Sequence, residues 1–333
     1  MSLGKSKQRT NPKIKMKRNQ NLFLKIQKVL LLLTCCLTFI SCDKEDQSTE
    51  IEIEETTNNE VVDLTHLPFG GIDPTNILIK NQGDFQPEFL SLWLCGLPSD
   101  GAGNADASDW TNPDGTWDYD RKPQVDGNVS WISEFNVSLD GIGNRIITGN
   151  ALPDHPTGVF PITPGSIAYQ YDGNPNIITE HEVSYLLPAI PEIASMESCV
   201  GFGPSGISIT GSAIYHGAST LGNDAAAHEI FDKFGGHTDG TETYHYHFAA
   251  QELQDHIHPQ VSGHSVLMGY MLDGFGIFGP YGENGELLWS EDLDECHGHT
   301  HPVLWDGEMI DIYHYHWTND FPYNIGCYKG TPL

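Results

Sequence analysis

Two short strings in the chain alternate phenol and imidazole side chains: Tyr244-His245-Tyr246-His247 and Tyr313-His314-Tyr315-His316. Each follows a Gly-His pair, Gly236-His237 in the first and Gly298-His299 in the second, with an aspartate (Asp232 or Asp294) five positions before that histidine. In an extended strand alternate side chains share a face, so His245 and His247 project together, as do His314 and His316, with the tyrosines on the opposite side. Two imidazoles attached about 6–7 Å apart can bend onto one ion about 2 Å from each ring nitrogen, and a flexible Gly-His turn brings a third. His237, His245, His247, His299, His314 and His316 are therefore the candidate metal ligands. All-nitrogen donor sets suit copper and zinc, and an oxidising exterior tips the balance to copper(II). Six donors exceed the four of tetrahedral zinc, so the two strands are expected to face each other across one enlarged site or two adjacent ions.

The same residues admit a reading without metal: a non-enzymatic surface binding or adhesion module whose histidines and tyrosines form a structural hydrogen-bond network. Trp110, Trp117 and Trp131 would favour it by lining one exposed face. Glu229, Asp232, Asp273, Asp294 and Glu295 stand in or near the repeated motifs, where a carboxylate could orient an imidazole, act as a general base, or simply cap a helix or a turn. His155, His256 and His258 fall outside the repeated unit and read as loop or structural residues, and His297 and His301 as exposed neighbours of the site. With no G-x-S-x-G and no H-E-x-x-H, nothing names a reaction, and whether the chain is an enzyme stays open.

Strands must position these groups. From residue 125 onward, segments such as VSWISEFNVSL, GNRIITGNAL, HEVSYLL and SGISITGSAIYH are rich in β-branched and aromatic residues and punctuated by Gly, Pro, Asn and Asp. Residues 223–234 have helical form, with Asn223 or Asp224 as cap and Gly235-Gly236 as stop. The fold is predicted to be mainly β, antiparallel sheets or a sandwich with one or two short helices and long loops, over residues 125–330, after a loop-rich segment at 61–124. The repeat itself reads as a short duplication, with a spacer between Gly-His and YHYH seven residues longer in the second copy.

The first 41 residues hold nine bases and no acid and run into an apolar stretch at 29–40, the pattern of a secretion signal. That stretch ends in Phe39-Ile40-Ser41-Cys42, which resembles the lipobox of bacterial lipoproteins, with Cys42 as the lipidated residue and membrane anchor. Met16-Lys17-Arg18 looks like a more ordinary start than Met1. Residues 42–60 are acidic and polar and read as a solvated tether. Once residues 1–41 are removed, seven bases oppose 45 acids, a formal charge of −38 with histidine neutral. Such a field excludes nucleic acid as a partner and concentrates cations. The four remaining thiols beyond Cys42 favour disulfides in an oxidising compartment. Cys296 with Cys327 is the expected pair, since both lie in the motif-bearing end and each is followed closely by a turn; Cys95 with Cys199 is then the residual one.

LPDHPTGVFP, HEIFDKFGGHTDGTETYHYH, MGYMLDGFGIFGPYG, LDECHGHT and FPYNIGCYKG, in that order, resemble the YHYH domain family of exported bacterial proteins over roughly residues 125–330. The resemblance implies an exported protein anchored to the cell envelope, at the outer membrane or cell surface. It also implies a cysteine where Phe234 stands, so any bridge made by that cysteine is absent here, and a Gly or Asn where His297 stands.

Overall fold

The computed structural model describes residues 91–96, 105–113, 116–258 and 263–333. The signal, Cys42 and the acidic tether lie outside the described residues. No helix among the described residues is long and apolar enough to cross a membrane.

The architecture is mainly β, with two sheets and two short helices. Strands β1 (Phe135–Leu139), β2 (Asn144–Gly149) and β3 (Val183–Pro188) form a three-stranded antiparallel sheet. Along β1 and β3 partly buried residues largely alternate with exposed ones, the pattern of a sheet wetted on one face. The second sheet holds eight strands: β4 (Gly206–Ser208), β5 (Ala213–Ile214), β6 (Gly236–Thr238), β7 (Tyr244–Tyr246), β8 (Leu267–Met271), β9 (Gly276–Phe278), β10 (Gly298–Trp305) and β11 (Glu308–His316). Their spatial order is β10-β11-β9-β8-β4-β5-β7-β6. The β5–β7 and β11–β9 pairs are parallel, so this sheet is mixed rather than purely antiparallel.

That order is a palindrome of two equivalent halves. In each, a tight hairpin (β4–β5 or β8–β9) crosses to a second hairpin (β6–β7 or β10–β11) whose last strand lies parallel to the second strand of the first. The halves join where β4 meets β8, and the register there is symmetric about the Ile207–Tyr270 pair, with Gly206 opposite Met271 and Ser208 opposite Gly269. Stepping outward, Ile214↔Tyr246 matches Ile277↔Tyr315, and His237↔His245 matches His299↔His314. The duplication therefore covers a whole four-stranded unit, at about residues 204–248 and 267–317, and not only the short motifs. The expectation that the two YHYH strands face each other is overturned: β7 and β11 are five strand spacings apart, about 24 Å if the sheet were flat.

The longer spacer of the second half extends its hairpin. β10 and β11 run on to a two-residue turn at Asp306-Gly307, both with positive φ, as a twisted hairpin requires. The extension reaches the smaller sheet, where the buried Arg145 binds both Asp306 carboxylate oxygens at 2.9 and 2.7 Å and packs on the rings of both Tyr270 and Trp305.

The helix expected over residues 223–234 is confined to Ala225–His228. Asp224 caps it by accepting from the Ala227 N–H at 3.3 Å, but Glu229 is already extended. The buried Lys122 ammonium takes the Ala226 and Glu229 carbonyls, and Phe231 O accepts from Val125 N–H, so the chain beyond His228 satisfies its backbone without a helix. A second helix, Gln251–Ile257, forms around His256, in a stretch where no helix was expected from the sequence. Disulfides join Cys95 to Cys199 and Cys296 to Cys327, and they suggest an extracytoplasmic compartment. Trp110 and Trp117 are buried in the core and Trp131 is half-buried with its Nε1–H on Thr157, so the three tryptophans line no exposed face.

Candidate metal centres

Each half builds its histidine site on one frame of aspartate, tyrosine and glycine. In the first, Asp232 accepts from the Tyr244 hydroxyl at 2.9 Å and from the Phe234 and Gly236 N–H groups at 2.9 and 3.3 Å. In the second, Asp294 accepts from the Tyr313 hydroxyl at 2.9 Å and from the Cys296 and Gly298 N–H groups at 3.0 and 3.1 Å. The tyrosine reaches its aspartate only by passing over the glycine: a Cβ at Gly236 would fall on the Tyr244 ring, and one at Gly298 on the Tyr313 hydroxyl and the His314 carbonyl. The second tyrosine of each string is held from the first hairpin's turn, Tyr246 by Thr210 at 3.1 Å and Tyr315 by Asp273 at 2.6 Å. Asp232, Asp273 and Asp294 thus anchor tyrosines and orient no imidazole directly.

On the opposite face the imidazoles converge. In the first site His237 Nε2 lies 3.0 Å from His245 Nε2, which lies 3.1 Å from His247 Nε2. His245 donates its Nδ1–H to the Thr243 carbonyl at 3.0 Å and His247 to the His216 carbonyl at 2.6 Å. A neutral ring that donates from Nδ1 carries a lone pair on Nε2, so the His245–His247 contact sets two lone pairs against each other, whereas His237 Nδ1 is buried without a partner. Burial, with repulsion from the neighbouring rings, holds His237 and His247 well below the usual histidine range, and burial lowers His245 as well, which disfavours a proton as the bridge.

The second site repeats these links: His314 donates from Nδ1 to the Ile312 carbonyl at 3.0 Å and His316 to the Gly279 carbonyl at 2.6 Å. His299 Nε2 lies 3.0 Å from His316 Nε2. Two further rings enter it. His301 Nε2 is 3.0 Å from His299 Nε2, and His264, with Nδ1 on the Ser265 carbonyl, packs its ring against His301, His314 and His316. Ligand atoms of His264, His299, His301, His314 and His316 all lie within 4.8 Å of one another. The Nε2 atoms of His264 and His314 are buried without a hydrogen bond. Burial first, then neighbouring histidines, depress His299 to about 4; burial is also the main cause that takes His314 to about 2.

The six histidines singled out by the sequence are thus split three and three. Glu229 belongs with the first set, its Oε2 3.3 Å from both His237 Nε2 and His247 Nε2. His301, expected to be an exposed bystander, belongs with the second. His297 is neither exposed nor a member: it is buried, with Nε2 2.9 Å from Thr318 Oγ1. His155 is structural, stacked on Phe234 at 3.9 Å with Nε2 2.5 Å from the Tyr246 hydroxyl, and His256 pairs with Asp154 at 2.8 Å. His264 and His216 carry no motif of their own. His216 becomes visible only once its half is aligned on Ile209–His216 against Leu272–Gly279, with Thr210-Gly211 matching Asp273-Gly274.

Residues 184–287 match the family model described as YHYH protein. That range spans β4 to β9 and the whole first site with Glu229, and it ends before β10 and β11; it is narrower than the 125–330 suggested by motifs alone. No curated protein and no solved structure matches the chain.

Proposed function

We propose that the chain is an exported, envelope-anchored metal-binding protein that holds copper or zinc at two separate sites, His237/His245/His247 and His299/His314/His316. The observation that carries this reading is the His245–His247 pair. Both Nδ1–H groups are committed to backbone carbonyls, so two lone pairs meet at 3.1 Å in a buried place where a proton is disfavoured. A divalent ion relieves that contact, takes the third imidazole of His237 as well, and needs these imidazoles neutral. Donor softness fits: imidazole suits both copper(II) and zinc, and copper binds the more tightly. Export is supported by the basic, then apolar, N-terminal pattern and by the disulfides, and anchoring at Cys42 by the lipobox-like Phe39-Ile40-Ser41-Cys42 alone.

The test is elemental analysis of protein purified without chelator and then offered Cu²⁺ or Zn²⁺. One ion per site with a raised melting temperature is expected, lost in a variant combining His245→Ala with His299→Ala and His316→Ala. Wild-type protein that takes up neither metal, with its melting temperature unmoved, would leave the histidines as a structural network.

A further inference from the structure

We propose that the first site is an open metal centre, with Glu229 as its fourth donor and the adjoining cavity as the seat of a small neutral or cationic organic ligand, whereas the second site is closed by its own histidines. The inference rests on the metal-binding reading above.

Glu229 is 6% exposed, and its Oε2 makes no hydrogen bond although it is aimed between two imidazoles. Taken in order, His245, His237, Glu229 and His247 form a ring of donor atoms with sides of 3.0, 3.3, 3.3 and 3.1 Å. Bonds of 2.0–2.1 Å give donor separations of about 2.9 Å in a square plane and about 3.3 Å in a tetrahedron, so the ring has the dimensions of a four-coordinate ion. The acid's place is fixed through its backbone, whose carbonyl accepts from the buried Lys122 ammonium.

The four donors line a cavity of about 840 Å³, the size of a small-molecule pocket. Tyr171, Phe202 and Tyr215 give it aromatic walls, and Asp172, Asn174 and Asp239 give it polar ones. Among the described residues no Lys or Arg lines it, and the folded chain is strongly acidic, so an anion is disfavoured. His216 also lines this space, with Nδ1 accepting from the Ala218 N–H at 3.3 Å. Its neutral ring therefore carries the proton on Nε2 and offers a donor to a bound molecule.

The second half closes the same space. Gly279 replaces His216, and its missing Cβ is the room taken by Ser265 and the Met268 sulfur. His301 stands at the position of Asp239, and His264 falls at the counterpart of Gly201 by the 63-residue offset of the Ile207–Tyr270 pair.

The test loads the whole chain with Co²⁺, whose visible spectrum reports its coordination, and titrates it with 4-phenylimidazole or benzoate, aromatic ligands that differ in charge. 4-Phenylimidazole should shift the spectrum with a stoichiometry of one per chain, unchanged when His299→Ala and His316→Ala remove the second site, and benzoate should bind at least tenfold more weakly. Glu229→Gln, which keeps the shape, should weaken Co²⁺ retention at the first site at least tenfold. Loaded protein whose spectrum ignores 4-phenylimidazole, or whose response disappears with the second site, overturns the open-centre assignment alone. Unchanged retention in Glu229→Gln overturns the fourth donor. Failure to load Co²⁺, Cu²⁺ or Zn²⁺ at all overturns the metal reading on which the proposal stands.

Discussion

The two histidine sites share a scaffold and differ in what was added to it. In both, an aspartate gathers a tyrosine hydroxyl and two turn N–H groups, a glycine lets the tyrosine pass, and backbone carbonyls hold the Nδ1 atoms of both strand histidines. Differences concentrate at four positions: Gly201 against His264, His216 against Gly279, Asp239 against His301, and the buried Glu229 against the exposed Glu291. The first half spends them on a carboxylate donor and a cavity, the second on two more imidazoles. A duplicated fold can thus keep the parts that orient ligands while the neighbouring positions decide whether a bound ion meets other molecules.

The contrast breaks most sharply at the ligands. His245→Ala leaves the first site two imidazoles and a carboxylate, so its metal affinity should fall by more than the roughly 10–100-fold that losing an outer hydrogen-bond partner costs. His301→Ala leaves the second site four imidazoles and should lose on the order of tenfold or less. Metal per chain after dialysis, read on each variant, decides between them; equal losses would mean the fifth histidine is not spare. Next in size is the scaffold. Asp232 is 1% exposed and, besides Tyr244 and the turn, accepts from the Gly158 N–H at 2.9 Å, so Asp232→Ala strands several buried donors and should cost about 3 kcal/mol. Asp294 is partly exposed and its other partner, Lys329, keeps Glu197 at 3.2 Å, so Asp294→Ala should cost about 1–2 kcal/mol. Denaturant titration of the two variants would contradict the ranking if the order reversed.

Composition and alternation in the sequence were enough to reach a mainly β fold with one or two short helices, only one of them located, and to single out the six repeated histidines. They misplaced the two sets, because strand order depends on crossovers: parallel pairing of β5 with β7 and of β9 with β11 carries each YHYH strand outward, away from the other. Local helix signals at 223–234 lost to a tertiary contact, the Lys122 ammonium taking the carbonyls of Ala226 and Glu229. Some of the rest was legible in principle. Asp306-Gly307 is a strong hairpin signal, and Thr210-Gly211 against Asp273-Gly274 extends the repeat upstream. His264 lies just upstream of the repeated unit and is matched to Gly201 only by the 63-residue offset of the Ile207–Tyr270 pair, so no motif in the sequence marked it.

Acid should expose a difference carried by buried histidines outside the ligand sets. Burial lowers His155, which packs on Phe234 and Tyr246 of the first half, to about 4, and His297 in the second half to about 3, from 6.5. Each folded value lies below the unfolded one, so below pH 6.5 the unfolded chain binds more protons. The stability these rings contribute is complete above 6.5 and is lost as pH falls through the folded values. For His155 the full loss amounts to about 3 kcal/mol. His155→Gln, which can still bond the Tyr246 hydroxyl, should therefore flatten the fall of the urea midpoint between pH 6.5 and 4 in metal-free protein. An unchanged acid limb would show that His155 titrates alike in both states.

The smallest contrast lies in one turn. Gly235 and His297 occupy equivalent positions with φ of +76° and +78°, and each donates its N–H to the carbonyl of the scaffold aspartate, at 3.0 and 2.8 Å. A side chain in that left-handed region costs about 1–2 kcal/mol, which the second half bears and the first avoids. Gly235→Ala should therefore destabilise by about 1–2 kcal/mol, the more so because its Cβ would lie 3.1 Å from that of Ala250. His297→Gly removes the strain, but it also gives up a ring that is 2% exposed and its contact with Thr318, and it adds about 0.5–1 kcal/mol of chain entropy to the unfolded state. Those losses exceed the gain, so the net cost should be about 1 kcal/mol. Both substitutions are then destabilising, for opposite reasons, and melting of the metal-free variants measures it. A stabilised His297→Gly would show that the ring contributes nothing to its half beyond strain.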